Sequence, residues 1–174
     1  MTDIDAEFRD FVVHRSAALL RTAYLLTGGD RGAAEDLLQD VLERVYVKRR
    51  RLQGTLEPYV RTALANAAVN RWRHRSRRVT ETQLHAHHEA GAAGPESGVA
   101  DRDQLLWAMA QLPLRMRAVV VLRYFEDMSA ADTAAALGCG VGTVKSQTAR
   151  GLDRLRDLLA TESLTQQESI HGHH

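Results

Sequence analysis

The chain has 174 residues, of which 44% are apolar and 26% charged, with a formal net charge of +1 at pH 7. This length allows one medium domain or two small ones, and the composition is typical of a globular protein. No apolar run approaches the roughly 20 residues needed to cross a bilayer, and the acidic start, Met1 to Asp5, is unlike a signal peptide. We therefore expect a cytoplasmic protein without membrane insertion, and the lone Cys139 excludes a disulfide framework.

Acids and bases are segregated along the chain. Residues 1–47 carry nine acids and five arginines, whereas residues 48–78 carry ten bases and one acid, Glu57. Because like charges at neighbouring helical positions repel each other, such a basic block is costly without a partner. A polyanion repays this cost through counterion release. The block therefore favours nucleic-acid binding over an ordinary solvated helix face.

The first part of the chain shows helical periodicity throughout. One apolar stripe ends at a Gly-Gly pair, and a second runs without a break from Ala34 to Val45 behind a predicted N-cap at Asp30. The opposite face of this second helix is acidic and polar. A basic loop then leads to a third helix, with Pro58 in its first turn, which we expect to extend to about Arg78.

One face of the third helix carries amides followed by guanidiniums. Aromatic side chains, Tyr59 and Trp72, lie nearby in the sequence, and bases interleaved with aromatics suit single-stranded or melted DNA. Burial of Trp72 in the core is an equally good interpretation. Asn66 and Asn70, each considered alone, could also be neutral surface residues. The face consists of Asn66, Asn70, Arg73 and Arg77, at i, i+4, i+7 and i+11.

Two segments have the composition of unstructured chain. Residues 79–98 contain no Lys, Arg or aromatic residue, and the Gly- and Pro-containing stretch 91–98 predicts a flexible linker. Histidines at 85, 87 and 88 suggest a metal site, but without a fixed geometry we interpret them as solvated and predict no metal. Residues 161–174 are polar and aperiodic, which predicts a disordered tail.

Helical periodicity resumes from Asp101, and residues 129–158 predict a helix-turn-helix. Ser129 opens a short helix, and Ala134, Gly138 and Val144 stand at i, i+4 and i+10. A helix-turn-helix needs a small residue where its helices cross, a glycine in the turn and a branched apolar anchor. The alternative is an ordinary helical hairpin whose spacing matches by accident.

Periodicity also assigns the two faces of the second helix of this motif. Val144, Leu152, Leu155 and Leu159 fall on the buried side. The outer side, near the helix N-terminus, is where recognition helices meet base edges, and Arg or Lys there can donate to guanine. The predicted DNA-reading residues are Thr143, Lys145, Ser146, Ala149 and Arg150.

No catalytic constellation is present in the sequence. The chain has no glycine-rich phosphate loop, no nucleophile motif and no histidine pair at metal-binding helical spacing outside the linker and tail. We therefore expect a protein that is not an enzyme and needs no cofactor.

Five short motifs stand along the chain: DLLQDVL at 36–42, YVRTA at 59–63 running into Asn66, LPLRMRAV at 112–119, LRYFEDMS at 122–129 and VGTVKS at 141–146. They resemble successive landmarks of RNA polymerase sigma factors of the extracytoplasmic-function (ECF) type. They occur in order and with family-like spacing, and the resemblance covers about residues 6–160. The arginine-rich third helix is most similar to actinobacterial members.

The resemblance implies an all-α fold of two small helical domains joined by a flexible linker. Residues 1–78 would form a region 2-like helical bundle that melts and captures the −10 promoter element. Residues 99–160 would form a region 4-like helix-turn-helix domain that reads the −35 element, joined by the linker 79–98 and followed by the tail 161–174. The expected partners are core RNA polymerase and promoter DNA, and many relatives are held by an anti-sigma factor.

The resemblance also implies a role for each group of polar side chains. The acidic face of the second helix would dock on the polymerase clamp helices, as an acidic stripe seeks a basic partner. The −10 strand would be held by the basic loop and by the third helix. The polymerase-binding residues would be Asp36, Gln39, Asp40 and Glu43, and the −10 residues Arg49, Arg50, Arg51, Asn66, Asn70, Arg73 and Arg77.

Three departures from the family prevent transfer of a promoter sequence. Ala65 stands where members often have Arg, Tyr59 where they often have Trp, and Ala149 where some have a bulky residue. Two other interpretations remain open from the residues. One is a stand-alone helix-turn-helix regulator of duplex DNA, and the other is a metal-binding or metal-sensing protein that uses the linker and tail histidines.

Overall fold

A computed structural model describes residues 3–52, 55–79 and 97–171, and the side chains of 5–52, 55–71 and 101–161 within them. Every regular element in these ranges is helical and none is a strand, so the all-α prediction is confirmed. No described helix combines the length and the apolar character needed to span a membrane. The α-helices are α1 Asp3–Leu26, α2 Arg31–Lys48, α3 Leu56–Val79, α4 Ser97–Gln111, α5 Leu114–Val120, α6 Ala130–Leu137 and α7 Val141–His171.

The first three helices pack against one another. The α2 stripe is buried as predicted, with Ala34, Leu37 and Val41 almost inaccessible to solvent. Asp30 is the N-cap of α2, since its Oδ1 accepts a hydrogen bond from the backbone N–H of Ala33 at 2.9 Å. Caps of this kind satisfy an N–H group that the helix itself leaves unpaired. Local sequence signals therefore determine where α2 begins and which face it buries.

The helix-turn-helix is formed by α6, a short turn and the start of α7. The hydroxyl of Ser129 accepts a hydrogen bond from the backbone N–H of Asp132 at 3.0 Å and caps α6. Gly138 ends α6 in the left-handed conformation, with φ of 62°, which a residue without a Cβ adopts at no steric cost. Val144 is fully buried against Val119 and Ala134. The three signature positions therefore have the roles that their spacing predicted.

A glycine inside α7 allows this helix to lie close to α5. A Cβ on Gly151 would lie 2.8 Å from Cγ2 of Val120 and 3.0 Å from Cγ of Met116, so a larger residue would force these side chains apart. None of the motifs in the sequence includes Gly151. An isolated glycine in the interior of a long helical pattern is the signal that indicates such a contact.

Between α5 and α6 the backbone widens into a π-helical segment, Val121–Phe125. The backbone N–H of Glu126 donates to the carbonyl of Val121, five residues earlier, at 3.1 Å. Asp127 follows with φ of 51°, a left-handed conformation that is uncommon outside glycine. Sequence periodicity did not predict this irregularity, although π-segments often mark functional positions.

The N-terminal and C-terminal helices also contact each other. Helix α3 packs on α5 and α6, and α1 touches α4 and the π-segment. One cluster of buried side chains therefore runs through both halves, from Leu19 and Leu64 to Met109 and Leu122. A division into two domains joined by a flexible segment did not anticipate this packing.

The predicted linker and tail are only partly covered by the described residues. Residues 80–96, which include the three linker histidines, lie outside them. Helix α7 continues to His171, so the segment 161–171, predicted to be disordered, is helical in this structure. The remaining tail residues, 172–174, also lie outside the described chain.

Candidate nucleic-acid interface

The outer face of α7 is exposed along its first three turns. Solvent reaches every predicted DNA-reading position on this face, whereas Val144 anchors the helix from behind. The hydroxyl of Ser146 donates a hydrogen bond to the carbonyl of Thr143 at 3.1 Å. Its oxygen is therefore left to accept a hydrogen bond from an incoming group. The exposed positions are Thr143, Lys145, Ser146, Ala149 and Arg150.

A second polar site lies between α2 and α3, where the two helices enclose an open groove of about 170 Å³. Asn66 and Asn70, two residues of the predicted −10 face, line it together with the ring of Tyr59. Arg44 and Lys48 of α2 line the opposite wall. The groove thus brings amides, one aromatic ring and two cations together, a combination that suits an unstacked nucleotide.

Helical periodicity did not predict that Arg44 and Lys48 line this groove. Arg44 lies beside the last residue of the apolar stripe of α2, Lys48 follows the stripe, and both are exposed. Their helix alone therefore shows only two solvated basic side chains. Their position opposite Asn66 and Asn70 depends on how α2 packs on α3. The side chains of Arg73 and Arg77, the other predicted members of this face, lie outside the described residues.

The three arginines of the predicted −10 loop have different environments. Arg49 forms an ion pair with Asp5 of α1 and stacks on Tyr46, with its guanidinium carbon 3.6 Å from the ring centroid. Its side chain is only 12% exposed, so Arg49 stabilises the start of α1 against the end of α2. Arg50 and Arg51 are exposed and face solvent.

The acidic face of α2 remains accessible for the most part. Asp36, Gln39 and Glu43 are exposed, and the amide of Gln39 donates to Glu43 at 3.1 Å. Asp40 is half-buried and forms an ion pair with Arg71 of α3. Three of the four predicted polymerase-binding side chains therefore face solvent, and the fourth also links α2 to α3.

Ala65, the position where relatives often have arginine, is fully buried. It lies one turn after Arg61, which reaches towards the C-terminal half of the molecule and pairs with Glu126 there. A long charged side chain at position 65 would be buried without a known partner, at considerable cost. Packing within this chain thus accounts for the small residue.

The described residues contain no group of side chains that could hold a metal ion. The histidines on which the metal-binding interpretation depends, at 85, 87, 88, 173 and 174, lie outside the described residues, and the side chain of His171 is likewise not described.

Family models match both halves of the chain. A model described as "Sigma-70 region 2" matches residues 11–78, and one described as "Sigma-70, region 4" matches residues 102–155. An RNA polymerase sigma-E factor of Streptomyces antibioticus is 39% identical over 160 residues, which cover 91% of this chain and 87% of the relative. The chain belongs to the sigma-70 family.

Other relatives and a solved structure agree with this assignment. The RNA polymerase sigma-E factor of Streptomyces coelicolor is 37% identical, with 91% of this chain and 89% of the relative covered. The ECF sigma factor SigE of Mycolicibacterium smegmatis is 32% identical, covering 88% of this chain and 62% of the relative. The sigma factor RpoE of Bartonella quintana, solved in complex with the anti-sigma factor NepR, superimposes with a TM-score of 0.75 at 27% identity. That match covers 88% of this chain and 97% of the RpoE chain.

This sigma factor is therefore of the ECF type and directs transcription initiation, with core RNA polymerase and promoter DNA as its partners. A stand-alone helix-turn-helix regulator would explain region 4 alone, whereas the match to region 2 covers the basic block and the acidic face as well. The resemblance that the sequence motifs indicated is confirmed.

Proposed function

We propose that region 4, residues 99–160, reads the −35 element with the outer face of α7. The observation that carries this proposal is the exposed helix start, at which Lys145 and Arg150 project while Val144 is buried behind them. Arginine or lysine at this position can donate to guanine O6 and N7 in the major groove. Thr143, Ser146 and Ala149 complete the surface that faces the DNA.

Region 2, residues 1–78, would hold the melted −10 strand in the groove between α2 and α3. Asn66 and Asn70 offer both donors and acceptors to a base edge, and the Tyr59 ring offers a stacking surface. Arg44 and Lys48 would neutralise the backbone phosphates. Arg50 and Arg51, together with Arg73 and Arg77 further along α3, would provide more basic side chains for the phosphates of the −10 strand.

The acidic face of α2 would dock on core polymerase through Asp36, Gln39, Asp40 and Glu43. Charge complementarity sets orientation and association rate, so a row of exposed acids suits a basic partner surface. Opening of the promoter would then be a binding process in which the captured strand stabilises the melted state, without an enzymatic step in this chain. Because RpoE of Bartonella quintana was solved with an anti-sigma factor, we also propose that an anti-sigma factor regulates this chain.

Run-off transcription tests the assignment of the two elements. Core polymerase and this sigma factor should transcribe a promoter library, randomised at both elements, from a restricted set of −35 and −10 sequences. Replacing Lys145 or Arg150 should change the selected −35 bases only, and replacing Asn66 or Asn70 the selected −10 bases only. If the Lys145 and Arg150 variants both selected the same −35 bases as the wild-type protein, the recognition-helix assignment would be wrong.

Reversal of charge at Asp36 tests the polymerase contact. Asp36→Lys should weaken binding to core polymerase about tenfold or more, because it places like charges in contact. Asp36 is exposed, so the free energy of unfolding should change by no more than about 0.5 kcal/mol. Glu7→Lys, a reversal of an exposed acid on α1, is the matched control. Equal polymerase affinities for the two variants would show that the α2 face is not the docking surface.

A further inference from the structure

Three consecutive arginines, Arg49–Arg51, begin the basic loop, and the first of them has a different environment from the other two. They form one turn of 3-10 helix. Such a helix has about three residues per turn, so the three side chains point in three directions. Arg49 is mostly enclosed and reaches α1, whereas Arg50 and Arg51 are exposed to solvent. The turn thus presents two of its three positive charges to a ligand.

Every nitrogen of the Arg49 guanidinium donates a hydrogen bond. Its Nε donates to Oδ1 of Asp5 on α1 at 2.8 Å, its Nη2 donates to the same oxygen, and its Nη1 donates to the carbonyl of Tyr46. The Arg49 and Asp5 side chains are only 12% and 21% exposed. The surface pair Arg31–Glu35 is 81% and 52% exposed. Because an enclosed pair is screened less by water and salt than a surface pair, the contact with Asp5 can hold the turn in one position.

Both ends of the turn are fixed on the core of the N-terminal half. The guanidinium of Arg49 stacks on the Tyr46 ring, and the centroid of that ring lies 5.3 Å from the centroid of the buried Phe8 ring on α1. After the turn, the backbone N–H of Leu52 donates to the carbonyl of Arg49 at 3.3 Å, and the Leu52 side chain packs against the core. Helix α1 therefore holds one end of the turn, and Leu52 holds the other.

The position of Asp5 is unexpected for a residue beside a nucleic-acid site. A carboxylate repels phosphate, and Asp5 also neutralises one of the three positive charges of the turn. A geometric benefit can offset this loss of attraction. If Arg50 and Arg51 extend from a fixed turn, less conformational freedom is lost when they bind a phosphate, and the affinity is higher.

We propose that Asp5 and Arg49 are positioning residues for the −10 strand. They hold the turn so that Arg50 and Arg51 meet the phosphates of the strand, and Arg49 itself does not contact DNA. The proposal rests on the assignment of the basic loop to the −10 strand in the proposed function. It extends the −10 site to the start of α1, an acidic segment that the charge pattern of the sequence separates from DNA binding.

The sign of the effect of Asp5→Asn on DNA binding distinguishes positioning from charge. The protein is the full chain bound to core polymerase, and the probe is a single-stranded −10 oligonucleotide. Removal of an acid by itself strengthens binding to DNA. Loss of the ion pair should instead weaken binding about fivefold, because the DNA must then order Arg50 and Arg51. Glu7→Gln, which removes an exposed acid two residues further along α1, is the matched control and should not weaken binding.

Conservative variants separate a positioning residue from a phosphate contact. Arg49→Lys keeps the charge but loses the planar fork that holds Asp5 and stacks on Tyr46. It should therefore weaken binding as much as Asp5→Asn, whereas a residue that only contacts phosphate would tolerate lysine. Asp5→Glu keeps the carboxylate and should recover most of the wild-type affinity. Circular dichroism should show native helix content for all three variants. Wild-type affinity of Arg49→Lys would overturn the proposal.

A combined variant shows whether Asp5 acts through the two exposed arginines. Arg50→Ala/Arg51→Ala should weaken binding of the oligonucleotide. It should also lower the slope of log affinity against log salt by about 1.4, the value for two phosphates of a single strand. When Asp5→Asn is added to this variant, it should cause no further weakening, because no exposed arginine of the turn is left to position.

Each contrary result contradicts a particular statement. If Asp5→Asn bound the oligonucleotide as tightly as wild type, or more tightly, the positioning role would be wrong. It would also be wrong if Asp5→Asn weakened the combined variant as much as it weakens wild type. If Arg50→Ala/Arg51→Ala bound normally, the loop would lie outside the −10 site, and the inference would fail together with that assignment. Normal binding by Asn66→Ala would contradict only the groove between α2 and α3.

Discussion

The two helices that carry the proposed DNA-binding side chains, α3 and α7, bury their surfaces in different ways. Helix α7 has one apolar stripe, anchored by Val144 and Leu155, and leaves its other side to solvent. Helix α3 is buried around most of its circumference, because region 2 packs on one side and region 4 on another. Among its residues with described side chains, 56–71, the buried ones are Val60, Leu64, Ala65, Ala67, Ala68 and Val69. A helix with one buried stripe reveals its ligand-facing side in its sequence, whereas an enclosed helix does not.

The two candidate sites differ in the same way. The recognition surface of α7 belongs to a single element, so helical periodicity is enough to assemble it. The groove at α3 takes its cations from α2 and its amides from α3, so it exists only when the two helices pack.

Val144→Asp should have the largest effect. Val144 is fully buried, so an aspartate there places an unpaired charge in the core and should lower the free energy of unfolding by about 4 kcal/mol or more. Val141→Asp is the matched control, because Val141 is 41% exposed in the first turn of the same helix. Urea unfolding followed by circular dichroism measures both. Similar losses for the two variants would show that α7 is not anchored through one buried side.

Substitutions on the outer face of α7 should have an intermediate effect that is limited to DNA binding. Arg150→Ala should cost roughly 1–3 kcal/mol of −35 binding and relax the preference at one base, if it reads a guanine edge. Lys145→Ala would instead weaken binding to all sequences and flatten the salt dependence, if it contacts phosphate. Arg156→Ala, an exposed arginine that pairs with Asp153, is the control. Binding to a −35 duplex library is measured at several salt concentrations with polymerase present. This measurement distinguishes a residue that reads a base from one that contacts phosphate.

Substitutions in the groove between α2 and α3 should have the smallest effect on DNA binding, and residues of both helices should contribute to it. Asn66→Ala should weaken binding to a single-stranded −10 oligonucleotide by about 1 kcal/mol, as expected for one hydrogen bond. Arg44→Ala on α2 should weaken the same probe, whereas Arg31→Ala, which is exposed at the other end of α2, should not. If Asn66→Ala weakened binding of the oligonucleotide and Arg44→Ala did not, the site would belong to α3 alone.

Much of region 4 was predictable because its signals are local. Ser129 and Gly138 act within a few residues of their own position, as a cap and a left-handed turn. The spacing of Val144 from them predicts the anchor, which is buried. The exposed residues on α7 follow from the same periodicity. The groove was predictable only in part, since Asn66 and Asn70 were found from their spacing but Arg44 and Lys48 were not.

Other side chains have roles that no local pattern indicates. Arg49 was assigned to the −10 loop from the family resemblance, and the structure shows it engaged with Asp5 and Tyr46. Glu126 and Arg117 belong to family-like motifs, but their partners on α1 and α3 are far away in the sequence. Long-range pairs depend on how helices meet, and periodicity within one helix carries no information about that.

Most helical elements of this sigma factor, the buried stripe of α2 and the exposed outer face of α7 were predictable from the sequence alone. Caps, glycines and apolar spacing act over one or two helical turns, so each can be read from neighbouring residues. The tertiary structure alone decided how α3 divides its surface between region 2, region 4 and the groove, and where Glu126 lies. The physical reason is that alanines on several faces of a helix allow close packing in more than one direction, and only the assembled core selects among them.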